Sequence, residues 1–384
     1  MLRKYLDKIK PLFDKDGKLH CFHSVYDGME TFLYVPNSTA KTGSNIHDPI
    51  DSKRIMSIVV VSLLPALLFG MYNIGYQNYS AAGTLADASF FDLFFFGLLV
   101  MLPKILVSYI VGLGIEFACA QIKKEEIQEG FLVSGILIPV IIPVNCPLWI
   151  LALAVAFSVI FVKEIFGGTG MNIFNVALAA RAFMFFSYPA KMSGDSVWVA
   201  NESMLGFGNT LPDTFTQATP LALVAQGTST DYSLSDMIIG LIPGSIGETS
   251  VIAIAIGALI LLLTGIASWK TMLSVFVGGA VTAMLFHSAD MTSIPWYEHL
   301  VLGGFCFGAV FMATDPVTSA RTEAGKYIYG FLIGLLTVVI RVMNPGYPEG
   351  MMMAVLFMNM FAPLIDYCVV QRNISARMKR TNNK

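Results

Sequence analysis

Apolar stretches follow one another along this chain with so few charges between them that water cannot be the solvent for most of its surface. Of 384 residues, 55% are hydrophobic and 13% charged, and the mean hydropathy is +0.67. That composition belongs to an integral membrane protein. The spans fall at about 55–75, 92–118, 130–144, 147–165 and 174–189, then 251–266, 271–287, 299–314, 325–343 and 350–370. Several are shorter than the roughly 20 residues of a full crossing. The third (EGFLVSGILIPVIIP) and eighth (LVLGGFCFGAVFMAT) are Gly-rich or Pro-broken at matching places in the two halves. They read as half-helices of an inverted repeat or as short tilted helices. The expected fold is an all-α polytopic membrane protein of about ten transmembrane helices in two inverted five-helix repeats.

Lys and Arg counts along alternate loops give the orientation. With the N-terminus in the cytoplasm, that side receives the N-terminal basic residues, Lys123, Lys124, Lys163, Lys270, Arg321, Lys326, Arg372, Arg377, Lys379, Arg380 and Lys384, and the other side only Lys191 and Arg341. The expected organisation is a cytoplasmic amphipathic extension (1–54), a first repeat (55–189), an outer loop (190–250), a second repeat (251–371) and a basic cytoplasmic tail (372–384). In the extension, Leu2, Tyr5, Leu6, Ile9, Leu12 and Phe13 lie near helical spacing among Arg3, Lys4, Lys8 and Lys10. This reads as a helix on an anionic membrane face, with Pro11 at its expected end.

The formal net charge of −2 and the lack of a basic stripe leave no reason to expect nucleic acid. Cys21, Cys119, Cys146, Cys306 and Cys368 are scattered without a C-x-x-C, which argues against a metal or iron–sulfur site from this chain alone and against a disulfide framework. The first residues, MLRKYLDKIKPLF, lack the continuous apolar core of a cleavable signal.

In the outer loop, LPDTFTQATPL sets Thr219 between Ala218 and Pro220, with Asp213 upstream. Pro220 biases Thr219 toward extended backbone. The hydroxyl reads as an address for attaching a flavin, or as a turn that caps the next apolar segment. The stretch GGTGMNIFNVALAARAF combines glycines, which allow close backbone approach, with Asn172 and Asn175. Their carboxamides can donate and accept along a flat imide edge, or Asn172 can cap the following helix. Asp315, in MATDPVTSA, is placed to cap or to bind, capping being the expected role, and Met351, Met352, Met353, Met358 and Met360 read as packing rather than a redox box.

An ionisable side chain inside a span costs at least ~2.5 kcal/mol and should face a cavity, a partner or an ion path. The candidates are Asp92, Lys104, Glu116, Arg181 and Asp366. Asp92 and Lys104 read as interfacial charges snorkelling to water. Glu116, after Gly112 and Gly114, and Glu129, opening the next span, flank one loop and could coordinate Na⁺ or hydrogen-bond a quinone. The rival from another class is a flavin-free secondary transporter, since paired broken spans bind solutes in many such folds.

Together, KEIFGGTGMNIFNVALAARAFMFFSYPAKMSGD, DTFTQATPL, EGFLVSGIL, FMATDPVTSA and HDPIDSKRIM resemble the B subunits of Na⁺-translocating NADH:quinone oxidoreductases over essentially the whole chain. The homologous D subunits of Rnf-type ferredoxin:NAD oxidoreductases resemble it through the spans. The resemblance implies a subunit of a translocase in the bacterial inner membrane, with partner subunits A, C, D, E and F. It implies FMN joined by a phosphoester to Thr219 by a separate flavin transferase, with Asp213 and Ala218 in the recognition pattern. Thr216 and Gln217 stand where the family more often carries Ser and Gly. It further implies noncovalent riboflavin at Asn172 and Asn175, and quinone near Gly112, Glu116, Glu129, Phe22 and Lys53. Na⁺ handling is implied for Glu116, Asp27 and Asp366.

Overall fold

Length of apolar run translates directly into helix in the computed structural model, which describes residues 2–13, 26, 30, 42–43, 52–123, 130–212, 215–226, 232–292, 294–344 and 346–382. Helix α1, Leu2–Phe13, runs through Pro11 rather than ending there; so near the helix end, the missing N–H removes a single intrahelical bond. Leu6 is buried, its carbonyl accepts from the Tyr26 hydroxyl at 2.7 Å, and Phe13 stacks on Tyr26 at 5.0 Å. Part of the face expected to lie on the membrane is therefore covered by the chain itself.

The first half comprises α2 (Ser52–Ala81), α3 (Phe90–Lys123), α4 (Phe131–Val140), α5 (Leu148–Phe157, continued by a π-helical turn over Ser158–Glu164) and α6 (Val176–Ser187). Short helices α7 (Pro189–Met192), α8 (Pro220–Ala225) and α9 (Leu234–Ile239) punctuate the loop that follows. The second half comprises α10 (Val251–Leu263), α11 (Trp269–Ser288), α12 (Trp296–Val301), α13 (Phe305–Phe307, continued by a π-helical turn over Gly308–Met312), α14 (Glu323–Met343) and α15 (Met351–Asn382).

Every expected span has a helical counterpart, and α2, α3, α11, α14 and α15 are long and apolar enough to cross a bilayer. The third and eighth are the broken ones. Helix α4 has 10 residues, a rise of about 15 Å against a hydrocarbon core of about 30 Å. The eighth breaks between α12 and α13, where Leu302 is extended and Gly303 has φ +63°.

Polar contacts sort the helix ends into two groups. At one end Lys123 of α3 pairs with Glu164 at 2.8 Å, Asn175 at the start of α6 donates to Asp315 after α13 at 3.0 Å, and Lys270 of α11 pairs with Glu323 of α14. At the other, Asn78 of α2 donates to the carbonyls of Ala200 and Asn209 at 2.8 and 2.9 Å. There too, Asn145, between α4 and α5, donates to the Val199 carbonyl at 2.6 Å. Successive spans thus run in alternating directions. The packing order also repeats: α3 lies on α5 as α11 lies on α14, α5 on α6 as α14 on α15, while α2–α10 and α6–α15 join the halves. A single apolar core runs through both halves, with Phe96, Ile138 and Leu151 from the first and Phe305, Phe307 and Tyr329 from the second all fully buried.

Glycine sets the closest approaches. On α14, Gly330 and Gly334 form a G-x-x-x-G pair against α11, the small-residue contact that brings membrane helices together. A Cβ at Gly334 would lie 2.1 Å from the Val275 carbonyl oxygen, and one at Gly330 2.6 Å from that of Thr271. Gly334→Leu is expected to push α14 off α11 and to abolish accumulation of folded protein. Gly114→Ala, whose Cβ meets nothing within 4 Å, should leave it intact; the yield of membrane-inserted protein after mild detergent extraction separates the two.

Candidate functional site

A cavity of about 350 Å³ opens beside Thr219, within the size range of cofactor sites. Its walls include Arg181 and Phe185 of α6, Trp198, Glu248 ahead of α10, and Tyr347 and Glu349 ahead of α15. Thr219 is extended, φ −71° and ψ 153°, as Pro220 dictates. Its Oγ1 accepts from the Ala222 amide at 3.2 Å, so Thr219 caps α8 and lines the cavity at once. Gln217 fastens this loop: its amide donates to the Asp195 carbonyl at 2.8 Å and its Nε2 to the Tyr232 hydroxyl at 3.0 Å. Ala218 is half-buried beside it; Asp213 lies outside the described residues.

Among the described residues, Arg181 is the one Lys or Arg on this cavity's wall. Its Nη1 donates to Glu248 Oε1 at 2.8 Å, and its Nη2 to Ser245 Oγ at 3.2 Å and to Glu349. Burial pushes the Glu248 carboxyl up, against the pull of Arg181. Beneath this cluster Arg341 donates through Nε to the Glu349 carbonyl at 3.1 Å and through Nη2 to that of Leu302 at 2.9 Å. The aromatic walls suit a flat ring, while the lining's Asp195, Glu248 and Glu349 face a single guanidinium, already engaged by the two glutamates. Sequence reasoning placed Arg181 among the buried charges that need a partner; Glu248 and Glu349 were not singled out, and their only signal is that unmet need.

A smaller cavity, about 90 Å³, lies where α4, α6 and the end of the α13 span meet, lined by Lys163, Asn172, Asn175, Thr314 and Asp315 with Met56 and Leu137. The helix cap expected from Asn172 is supplied by Asn175, whose Oδ1 accepts from the Ala177 and Leu178 amides at 3.0 and 3.2 Å. Asn172 instead donates to the Phe174 carbonyl at 2.9 Å. Asp315 turns the chain as expected, accepting from the Val317 amide at 3.0 Å and Thr318 Oγ1 at 3.1 Å, and burial pushes its carboxyl up. Asn359 donates to the Tyr329 hydroxyl at 2.7 Å and accepts from the Asn175 amide at 3.2 Å. The polar rim suits an imide edge. A tricyclic ring enters only if the apolar wall at Met56 and Leu137 opens, since ligand sites usually exceed ~300 Å³.

The remaining candidates separate. Glu116 of α3 is buried and receives the Lys163 ammonium at Oε1. The Phe131 ring covers Gly112, where a Cβ would lie 1.9 Å from its Cζ. Lys53 opens α2, half-buried, its carbonyl accepting from Ser57 Oγ at 2.8 Å. Phe22, Asp27 and Glu129 lie outside the described residues. Asp92 is an exposed cap, accepting from the Ser89 amide at 3.0 Å. Lys104 departs from expectation: it is buried near the middle of α3, too deep to snorkel, and donates to the Val100 carbonyl at 3.3 Å. Asp366 accepts from the amides of Arg321 and Thr322, at 2.7 and 2.9 Å, and from the Thr322 hydroxyl. Asp366→Ala should therefore cost about 1–3 kcal/mol, with Asp366→Asn recovering part, as thermal unfolding in detergent would read.

The architecture defines a polytopic helical membrane protein with two polar clefts, one toward each end of α6. The model of the NQR2, RnfD, RnfE family matches residues 39–375, and the chain belongs to that family. It is 47% identical to the B subunit of the Na(+)-translocating NADH-quinone reductase of Chromohalobacter salexigens, over 99% of this chain and 96% of that one. It is 44% identical to the protein of the same name from Ectopseudomonas mendocina, over 99% of both chains. The Pseudomonas aeruginosa protein of that name is 43% identical over 99% of each.

Proposed function

We propose that this chain is the flavin-carrying membrane subunit of a Na⁺-translocating NADH:quinone oxidoreductase. FMN would be joined through its phosphate to Thr219 Oγ1 by a separate flavin transferase that reads Asp213 and Ala218, and Asn172 and Asn175 would hold riboflavin once the small cavity's wall at Met56 and Leu137 opens. When bound, these groups supply electron transfer. The chain's own part is to hold them: Phe185, Trp198 and Tyr347 flank the larger cavity and Arg181 balances charge at its wall. Helix α6 reaches both cavities, its start at Asn175 and Arg181 being six residues, about 9 Å, apart along its axis. NADH would be oxidised by a partner subunit; Gly112, Glu116, Glu129, Phe22 and Lys53 would hold quinone, and Glu116, Asp27 and Asp366 would serve the Na⁺ path. The termini lie in the cytoplasm and the Thr219 loop outside.

The observation that carries this reading is the cavity of about 350 Å³ that Thr219 lines, on a loop whose sequence reads as an address for modification. The test is denaturing electrophoresis of the subunit co-expressed with a flavin transferase, followed by mass mapping. A fluorescent band and an FMN adduct on the Thr219 peptide are expected. A dark band, with the transferase active on a control protein, would overturn the reading and favour a flavin-free transporter.

A further inference from the structure

The last helix outruns the bundle. Helix α15 is unbroken from Met351 to Asn382, and Asp366, which accepts from the amides of Arg321 and Thr322, marks where it leaves the other helices. Lys270, Glu323 and Lys326 pair at that same end of α11 and α14, so water begins near this level. Residues 367–382 add about 24 Å beyond it, whereas headgroups occupy only about 5–8 Å on each side of the hydrocarbon. Most of the extension therefore stands clear of the bilayer. From Gln371 to Thr381 every residue is exposed, and the side-chain hydrogen bond there stays within the helix, Thr381 Oγ1 donating to the Arg377 carbonyl at 3.2 Å. Tyr367, Val370, Ile374 and Met378, three or four residues apart, form one exposed apolar stripe, which continues that of Met360 and Leu364 in the span. Arg372, Arg377, Lys379 and Arg380 lie beside and behind it, and residues 367–382 contain no Asp or Glu. Little in this composition sustains a free helix. Asn373, Ile374, Ser375 and Thr381 are middling helix formers, and Arg377 and Arg380 are like charges three residues apart.

We propose that residues 367–382 form a docking helix for an acidic, amphipathic helical segment of a partner polypeptide. The partner lays its apolar face along Tyr367, Val370, Ile374 and Met378 and sets its carboxylates against the flanking arginines and lysine. Spacing and charge together select this occupant. A stripe of apolar residues every three or four positions is the surface one helix offers another. A second copy of this chain would bring the same four cations, and α1 brings Arg3, Lys4, Lys8 and Lys10, so both meet like charge, which costs affinity. An anionic lipid surface matches the composition but not the geometry. A helix that binds lipid by its apolar face lies in the plane of the interface, and an unbroken continuation of a spanning helix rises away from it. The inference requires a partner chain and is independent of any flavin.

The test is photo-cross-linking in the full chain, purified with whatever subunits accompany it in mild detergent, with benzoylphenylalanine in place of Ile374 or, separately, Met378. Peptide mapping should find the adduct on an Asp- and Glu-rich segment of another polypeptide. Arg377→Glu/Arg380→Glu should lower the cross-link yield several-fold. Raising the salt concentration should do the same by screening, and because it leaves the chain unaltered it separates lost docking from any effect of the substitutions on insertion. An adduct confined to lipid, to a second copy or to this chain itself overturns the proposal, as does a partner peptide without acidic residues or the absence of adduct at both positions. A chain that purifies alone overturns both this inference and its place as a subunit. A cross-link to an acidic partner in a complex without flavin fluorescence defeats the flavin reading and leaves the docking helix standing.

Discussion

Thr219→Ala is expected to lose all covalently held flavin and to bring NADH-driven quinone reduction by the assembled complex to background, while Thr219→Ser retains both. A phosphoester needs the hydroxyl oxygen, which Ser supplies and Ala does not. The same oxygen caps α8, so the alanine variant also loses about 1 kcal/mol of helix-capping stability. That helix has only 6 residues and lies in the loop between the two halves, so the bundle should still form. In-gel flavin fluorescence, normalised to protein in the same band, reads the result. Fluorescence that persists in Thr219→Ala would move the attachment point to another hydroxyl of the loop, Thr214 or Thr216 being nearest.

Arg181→Ala should cost about 3–5 kcal/mol of stability, because it leaves a buried carboxylate without its cation. Glu248 is the group left behind, with Glu349 at the cavity wall. Arg181→Lys should recover only part, since one ammonium cannot reproduce a fork whose two nitrogens serve Glu248 and the Ser245–Glu349 side. Adding Glu248→Gln to Arg181→Ala should restore part of the loss, and thermal unfolding of the purified complex measures the cycle. The pH dependence has a definite sign. Burial already raises the Glu248 carboxyl, and Arg181 opposes it; without Arg181 the folded form holds its proton to higher pH than the unfolded chain, whose value is about 4.3. Arg181→Ala should therefore be most stable in acid and lose stability as pH rises through the folded value.

The architecture was legible because hydrophobic length alone decides where a chain can cross a bilayer. The break after α4 was announced by Pro139 and Pro143, and the one before α13 by Gly303 and Gly304. The extended backbone at Thr219 was legible for a local reason, the proline behind it. What was not legible depends on which face a side chain takes within the bundle. Lys104 occupies the buried side of α3, and hydropathy along a helix does not distinguish the lipid face from the protein face. The pairing of Lys163 with Glu116 likewise joins two helix ends 47 residues apart in sequence. The capping of α6 by Asn175 rather than Asn172 turned on three residues, within the error of any boundary read from sequence.

The Arg181 cluster also imposes a timetable on biogenesis. Its carboxylates lie 67 and 168 residues downstream, and at roughly 5–20 residues per second the ribosome needs on the order of 10–30 s to go from Arg181 to Glu349. Through that interval the guanidinium in the fifth span has no complete set of counter-charges, so the nascent first half cannot settle into lipid as a finished unit. The cavity walled by Arg181, Glu248 and Glu349 is consequently complete only after nearly the whole polypeptide has been threaded, so whatever it takes is loaded onto a chain already committed to its topology.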